Sequence, residues 1–294
     1  MEDPKIVIPL LPQSTLDTIK HKYLDVPYCE ESAAQVLDIY LPETKGPYPV
    51  IVHFHGGAFM FGTQRDINLV PMLRGLDKGF AIISVSYRMS GEARFPAMIY
   101  DAKAAIRFIR ANAFHYDLDT EKIGVWGPSA GGYIVSMLGA TNDESVFEDL
   151  NMGNASFSSN VQVVVDWCGP SGNFLEMDPA IRDNGFGDAD HNDPLSPESR
   201  FMGAPITTIP ELVKLASPCT HLKRNLPVFL IQHGEADPIV PVQQSIAFAD
   251  AIIAAKGQVI LETFSGKGHH GNPWYEEEVM SDRVFEFFKE NLRK

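Results

Sequence analysis

Three short segments of this chain carry apolar residues at consecutive positions rather than only at every second one. They are Val50–His55, Ala81–Tyr87 with its AIISV run, and Val161–Trp167 with its VQVVV run. A strand of that kind must be covered on both faces, which happens when a parallel sheet lies between layers of helices. Further strand-like segments fall at Tyr23–Tyr28, Val36–Leu41, Lys122–Trp126, Val228–Gln232 and Val259–Phe264. The first two of these are more polar and alternate, as antiparallel edge strands do. Helical patterns separate the later strands. One opens at Pro96 with Met98, Ala102, Ala105, Ile106 and Ile109 on one face, and a second starts at Ser129. A third covers about Val242–Ala255 before Gly257, and a fourth runs Glu276–Leu292 with Val279, Val284, Phe285 and Phe288 inward. The expected fold class is α/β: a mostly parallel eight-stranded sheet with helices on both faces.

The 294 residues are expected to form one domain, with residues 1–15 as an irregular arm. The proline-rich stretch 176–227 breaks the strand–helix rhythm and is expected to be an insertion over the sheet edge, forming a small cap. The net charge is 24 − 38 = −14 and no cluster of basic residues appears, which argues against nucleic acid and anionic membrane partners. No apolar run approaches the ~20 residues needed to span a bilayer. Three widely spaced cysteines, Cys29, Cys168 and Cys219, fit neither a disulfide framework nor a zinc knuckle. With no leader-like pattern in MEDPKIVIPL, a reduced, cytoplasmic protein is the expectation.

The most informative chemistry lies in KIGVWGPSAGGYI, 122–134. Gly127-Pro128-Ser129-Ala130-Gly131 is a G-x-S-x-G pentapeptide between a buried strand and a helix. A serine at the tip of such a turn needs small neighbours two residues away, and the helix aims its positive end at the site. Ser129 is therefore the expected nucleophile. Gly169-Pro170-Ser171-Gly172 lacks the second glycine in register. The strand at 50–55 runs into His55-Gly56-Gly57, where paired glycines allow main-chain N–H groups to face a ligand. Gly57 first and Gly56 second, with the N–H of Ala130, are expected to form an oxyanion hole. His53 and His55 lack a nearby third ligand, so no metal site is expected there.

A turn after the strand at 228–232 carries Asp237, the expected acid, with Glu235 in reserve. The loop after the strand at 259–264 offers His269 and His270, and His269 is preferred as base. The chain order serine, aspartate, histidine matches that of a triad on this kind of sheet. Such a base would make kcat/KM rise at about pH 6–7. Phe59, Tyr133, Trp167 and Trp274 lie near these landmarks and are expected to line a substrate pocket. The 188–193 segment DADHND starts like a calcium loop but lacks glycine at the sixth place and glutamate at the twelfth.

With these motifs in hand, the chain resembles the α/β-hydrolase superfamily, above all the HGG-type carboxylesterases around hormone-sensitive lipase and the bacterial feruloyl and acetylxylan esterases. The landmarks are HFHGGAFMFG, SVSYRMSGEARFPAMIYDAKAAIRFIRANA, KIGVWGPSAGGY, VVDWCGPSG, HGEADPIVP and GKGHHG. The resemblance implies Ser129, Asp237 and His269 as triad, Gly56, Gly57 and Ala130 as oxyanion donors, and no cofactor. It implies a serine esterase of short acyl esters, with acetyl or feruloyl groups on plant polysaccharide, including esterified oligosaccharides, as expected substrates. Pro128 departs from the Asp or Glu of the lipase-like branch, and His270 from a common glycine. An amide-cleaving serine hydrolase of the peptidase or arylformamidase kind, and a non-catalytic binding protein on the same fold, are the alternatives.

Overall fold

The computed structural model describes residues 8–223, 225–269 and 278–292. Eight strands form one sheet: β1 (His21–Pro27), β2 (Val36–Leu41), β3 (Tyr48–Phe54), β4 (Ala81–Val85), β5 (Leu118–Pro128), β6 (Val163–Trp167), β7 (Val228–Gly234) and β8 (Gln258–Phe264). Their order is β1-β2-β4-β3-β5-β6-β7-β8. β2 pairs antiparallel with both β1 and β4, and every pairing from β4 onward is parallel. The expectation of two antiparallel edge strands therefore needs a correction. Only β1 lies at the edge and is mostly exposed, while β2 is buried one place inward.

The apolar runs are buried for the reason their composition requires. Val50, Val52 and Phe54 face one hydrophobic cluster, and Ile51 between them faces another. β4 repeats the split, with Ala81, Ile83 and Val85 on one side and Ile82 on the other. Helices Ala97–Ala111 and Ala130–Ala140 cover the first face, and helix Glu278–Leu292 covers the second. In that last helix the inward residues include Met280, Val284, Phe285 and Phe288, but Val279 is 66% exposed. Val279 was expected inside; it sits at the first turn, one position away from the buried stripe. Residues 13–15 of the expected arm already belong to helix Gln13–Thr18.

The 176–227 stretch holds helices Met177–Asn184, Pro197–Met202 and Pro210–Ala216. It does not sit over the sheet edge. Phe201 stacks on Phe59 beyond β3 and meets Phe95 beyond β4. Ala216 O accepts the Tyr133 hydroxyl at 2.8 Å, and Ser217 Oγ donates to Gly172 O at 2.6 Å beyond β6. The segment thus crosses the ends of the central strands, because its aromatic and carbonyl partners lie there.

β5 delivers the chain into helix Ala130–Ala140 against the end of β3. A Cβ on Gly131 would lie 2.0 Å from Phe54 O, and one on Gly127 would lie 2.4 Å from the Gly131 carbonyl. Only glycine allows this main-chain approach. Gly131→Ala should therefore cost about 2 kcal/mol or more, since backbone cannot yield like a side chain. Gly91→Ala, with open space around it, should leave the melting temperature unchanged. Equal melting temperatures for the two variants would contradict the packing at the elbow.

Candidate active site

In a parallel sheet, the loops leaving the carboxyl ends of the strands gather along one rim. Here that rim collects Gly56 and Gly57 after β3, Ser129 after β5, Cys168 after β6, Asp237 after β7 and His269 after β8. Ser129 has φ 55° and ψ −122°, a left-handed geometry costing a non-glycine residue about 1–3 kcal/mol. It is held there because its N–H donates to Trp167 O at 2.7 Å and its carbonyl accepts Tyr133 N–H at 3.0 Å. Below the turn, the buried Asp166 carboxylate accepts Ser136 Oγ at 2.7 Å, Ser171 Oγ at 2.6 Å and Gly169 N–H at 2.8 Å. Burial still pushes Asp166 above its ordinary pKa. Ser171, of the incomplete second motif, thus braces the elbow.

Ser129 Oγ lies 2.9 Å from His269 Nε2, and His269 Nδ1 lies 2.6 Å from Asp237 Oδ2. The acidic partner can only accept, so in the neutral ring Nδ1 carries the proton and Nε2 is left to accept from the serine hydroxyl. All three residues are buried, at 8%, 7% and 2% exposure for Ser129, His269 and Asp237. Glu235, the reserve carboxylate, instead accepts from Thr263 Oγ1 at 2.8 Å. His270 and Trp274 lie outside the described residues.

Asp237 is fixed from every side. Its Oδ1 accepts the N–H groups of Ile239 and Val240 at 2.8 and 2.9 Å. Its Oδ2 is also approached at 3.1 Å by His233 Nε2, which lies 2.8 Å from Val240 O. A carbonyl only accepts, so Nε2 of His233 is protonated and its Nδ1 accepts from Ser245 Oγ at 2.6 Å. His233 is a positioning residue that the motif reading missed. Its signal was present in HGEAD, where a histidine ending a buried strand stands four residues before the acid. Burial alone would raise the Asp237 pKa, but His269 and His233 outweigh it and hold the carboxyl well below its usual range. For His269 burial works the other way, yet Cys168 and Asp237 beside the ring push its pKa up to about 10.

Gly57 has φ 122°, and a Cβ there would lie 2.1 Å from Phe61 O. Met60 and Phe61 donate their N–H groups to Gly57 O at 2.9 Å, closing a tight turn. His55 braces it: Nδ1–H donates to Gly56 O at 2.7 Å, the ring stacks on Tyr87, and the Tyr87 hydroxyl donates to His55 O at 2.7 Å. His53 instead meets Ser84 Oγ at 3.0 Å. Ala130 opens its helix, so its N–H has no partner within that helix.

Three of the aromatic residues expected at a pocket wall, Phe59, Tyr133 and Trp167, are nearly wholly buried. Phe59 packs among Tyr133, Phe174 and Phe201. Tyr133 is tied to Ala216, and Trp167 lies on the other face of the sheet with Nε1 donating to Gln232 Oε1 at 2.6 Å. Phe59 and Tyr133 tie the floor of the site to its overlying segment, while Trp167 packs on the opposite face.

A sheet of this order, with a serine on a strand-to-helix turn and acid and histidine on later loops, defines the α/β-hydrolase fold. The sequence model of the BD-FAE family matches residues 37–252, and the chain belongs to that family. Esterase LipC of Mycobacterium tuberculosis is 30% identical over 253 residues, 81% of this chain and 57% of LipC. Esterase LipQ of the same organism is 28% identical over 84% of this chain and 56% of its own length. The chain therefore spans little more than half of these curated relatives. Among solved structures, a truncated carbohydrate esterase from gut microbiota has a TM-score of 0.82 and 32% identity, covering 95% of this chain and 98% of that one. A bifunctional GH43-CE protein of Bacteroides eggerthii has a TM-score of 0.80 and 35% identity, over 92% of this chain and 35% of that one.

The electrostatic part of this geometry has a direct check. In Asp237→Asn, the His269 ring should titrate about 1–3 pH units lower than in the parent protein, because the adjacent charge is gone. Imidazole NMR signals read this without reference to activity. An unmoved titration would show that Asp237 does not support the charged ring.

Proposed function

We propose that this protein is a serine carboxylesterase. The observation that carries the reading is the unbroken chain of two hydrogen bonds from Ser129 through His269 to Asp237. His269 takes the hydroxyl proton as Ser129 Oγ attacks the ester carbonyl. The negative oxygen then forms beside the Gly56–Gly57 turn and the start of the elbow helix, whose N–H groups of Gly57, Gly56 and Ala130 receive it. His269 returns the proton to the leaving alcohol, and an acyl-enzyme remains on Ser129. Water activated by the same ring releases the acid. Asp237, itself oriented by His233, holds the imidazole in the needed tautomer. This chemistry is complete with protein groups alone.

The names borne by the relatives support ester hydrolysis, and the two carbohydrate esterase neighbours favour an acyl group on a sugar. Short acyl chains, acetyl or feruloyl, on oligosaccharides derived from plant polysaccharide are the proposed substrates. The closed aromatic floor under Phe59 and Tyr133 is consistent with a small acyl group. Among the described residues no helix is long and apolar enough to cross a membrane.

A panel of p-nitrophenyl esters from acetate to decanoate, with methyl ferulate and acetylated xylan, tests the reading. Ser129→Ala should abolish turnover on all of them with the melting temperature nearly unchanged; substantial residual activity would overturn the assignment. The base must be unprotonated to act, and His269 is pushed above the ordinary imidazole value of 6.5. The rising limb of kcat/KM should therefore lie above pH 6.5, higher than the sequence alone suggested. A midpoint at or below 6.5 would show that the ring is not stabilised in its charged form.

A further inference from the structure

A cavity of about 700 Å³ adjoins the glycine turn and takes no part in the hydrolytic scheme. Small-molecule sites span roughly 300–1,000 Å³, so it has room for sugar rings rather than an acetyl group alone. Met60 and Phe61 line it, and their N–H groups donate to Gly57 O at 2.9 Å. The cavity thus starts at the far end of the turn assigned to the oxyanion. Ser90 and Arg94 come from the loop after β4, and Arg200 and Gly203 from the segment that crosses the strand ends. That loop is pinned, with Ser90 N–H donating to Phe59 O and Phe95 N–H to Phe201 O, each at 2.9 Å. Charge sets the cavity apart. The chain has 24 basic and 38 acidic residues, yet no acidic side chain lines this space. Three other cavities among the described residues each include at least one aspartate or glutamate. In the covering segment, Asp193 Oδ1 accepts Leu195 N–H at 2.7 Å and Glu198 Oε2 lies 3.2 Å from His191 Nδ1. Glu92, on the loop with Arg94, is exposed and outside the lining. Arg200 is engaged, its Nε donating to Leu195 O at 2.9 Å. Arg94 has no hydrogen bond or ion pair from its guanidinium to a described residue. Its side chain lies over Gly203, where a Cβ would meet Arg94 Cδ at 2.3 Å and Nε at 2.9 Å. Gly203 has φ 81° and closes helix Pro197–Met202, so glycine is required there twice over. Packing on Gly203 keeps the guanidinium at the cavity wall, open to solvent and to a ligand.

We propose that this cavity is the subsite for the alcohol part of the ester, and that Arg94 makes it selective for sugars carrying a carboxylate, such as a uronic acid. This rests on the esterase reading above, in which a small acyl group lies at Ser129 and the rest of the substrate needs a place beyond the oxyanion turn. A guanidinium presents parallel N–H donors that match the two oxygens of a carboxylate, a match no single hydroxyl can offer. Met60 and Phe61 supply apolar surface for the face of a sugar ring. With a net charge of −14 the chain repels anionic substrates at long range, and a local cation without acidic neighbours in the cavity lets one dock. Arg94 is therefore a specificity-determining residue: it selects which alcohol is held.

Isothermal titration calorimetry with two ester-free probes tests this: a xylo-oligosaccharide bearing one glucuronic acid, and a neutral one with the same number of rings. The parent protein should bind the acidic probe about three- to tenfold more tightly at low salt, and the margin should shrink as salt is added. Arg94→Met should bind the two equally or prefer the neutral one. Arg94→Lys, which keeps a point charge without the fork, should fall between parent and Arg94→Met. Sodium acetate at the concentration of the probe should leave binding of the acidic probe unchanged. No preference for the acidic probe in the parent, a full preference that survives in Arg94→Met, or displacement by acetate, which marks a bare anion site, would overturn the proposal. Neither probe is an ester, so the titration decides the subsite even if the chain proves not to hydrolyse esters, and the two failures can be told apart.

Discussion

The contact of the elbow helix with the end of β3 is the constraint from which the site follows. Gly131 lies so close to Phe54 O that the helix starts directly on the strand carrying Gly56 and Gly57. That approach brings Ser129 and the glycine turn to one place before any other residue is considered. It also forces Ser129 into left-handed backbone, which β6 must hold down through Trp167 O. The Asp166 cluster supplies the second anchor, tying the strand, the elbow helix and the loop after β6 into one buried knot. Strain at the tip and close bonding beneath it belong together, because a strained turn persists only where its surroundings over-determine it.

The other half of the site rests on a buried carboxylate. Asp237 would be costly inside the protein without partners. Two main-chain N–H groups, His233 and His269 satisfy both of its oxygens. The same bonds that make its burial tolerable leave the imidazole one orientation, aimed at Ser129. Stability of the loop and orientation of the imidazole thus have a single cause. Cys168, just after the neighbouring strand, and Asp237 both push the imidazole pKa up against its burial.

Much of this was legible in the sequence, and the rest was hidden for physical reasons. Largely apolar runs marked the parallel strands because burial on both faces leaves few polar positions. Ser129 could be found because the elbow geometry admits only glycine at 127 and 131. Asp237 and His269 could be placed on loops at strand ends because strand and loop differ so sharply in composition. What periodicity could not reveal was which residues meet across the sheet. β2 lies inside rather than at an edge because β4 pairs on its far side, a non-local choice. His233 and Cys168 each looked like one more residue at a strand end until the sheet order set them beside Asp237 and His269. The aromatic residues near the motifs were visible, but their closed packing was not, since it depends on Phe201 arriving from the 176–227 segment.

The central claim is that Ser129 itself carries the acyl group between the two halves of the reaction. Rapid acid quench during turnover of p-nitrophenyl acetate, followed by peptide mass spectrometry, reads this most directly. The account predicts the mass of one acetyl group on the peptide containing Ser129, absent when His269 is replaced by alanine. An acetyl group on another residue, or turnover with no acylated peptide at any quench time, would contradict it.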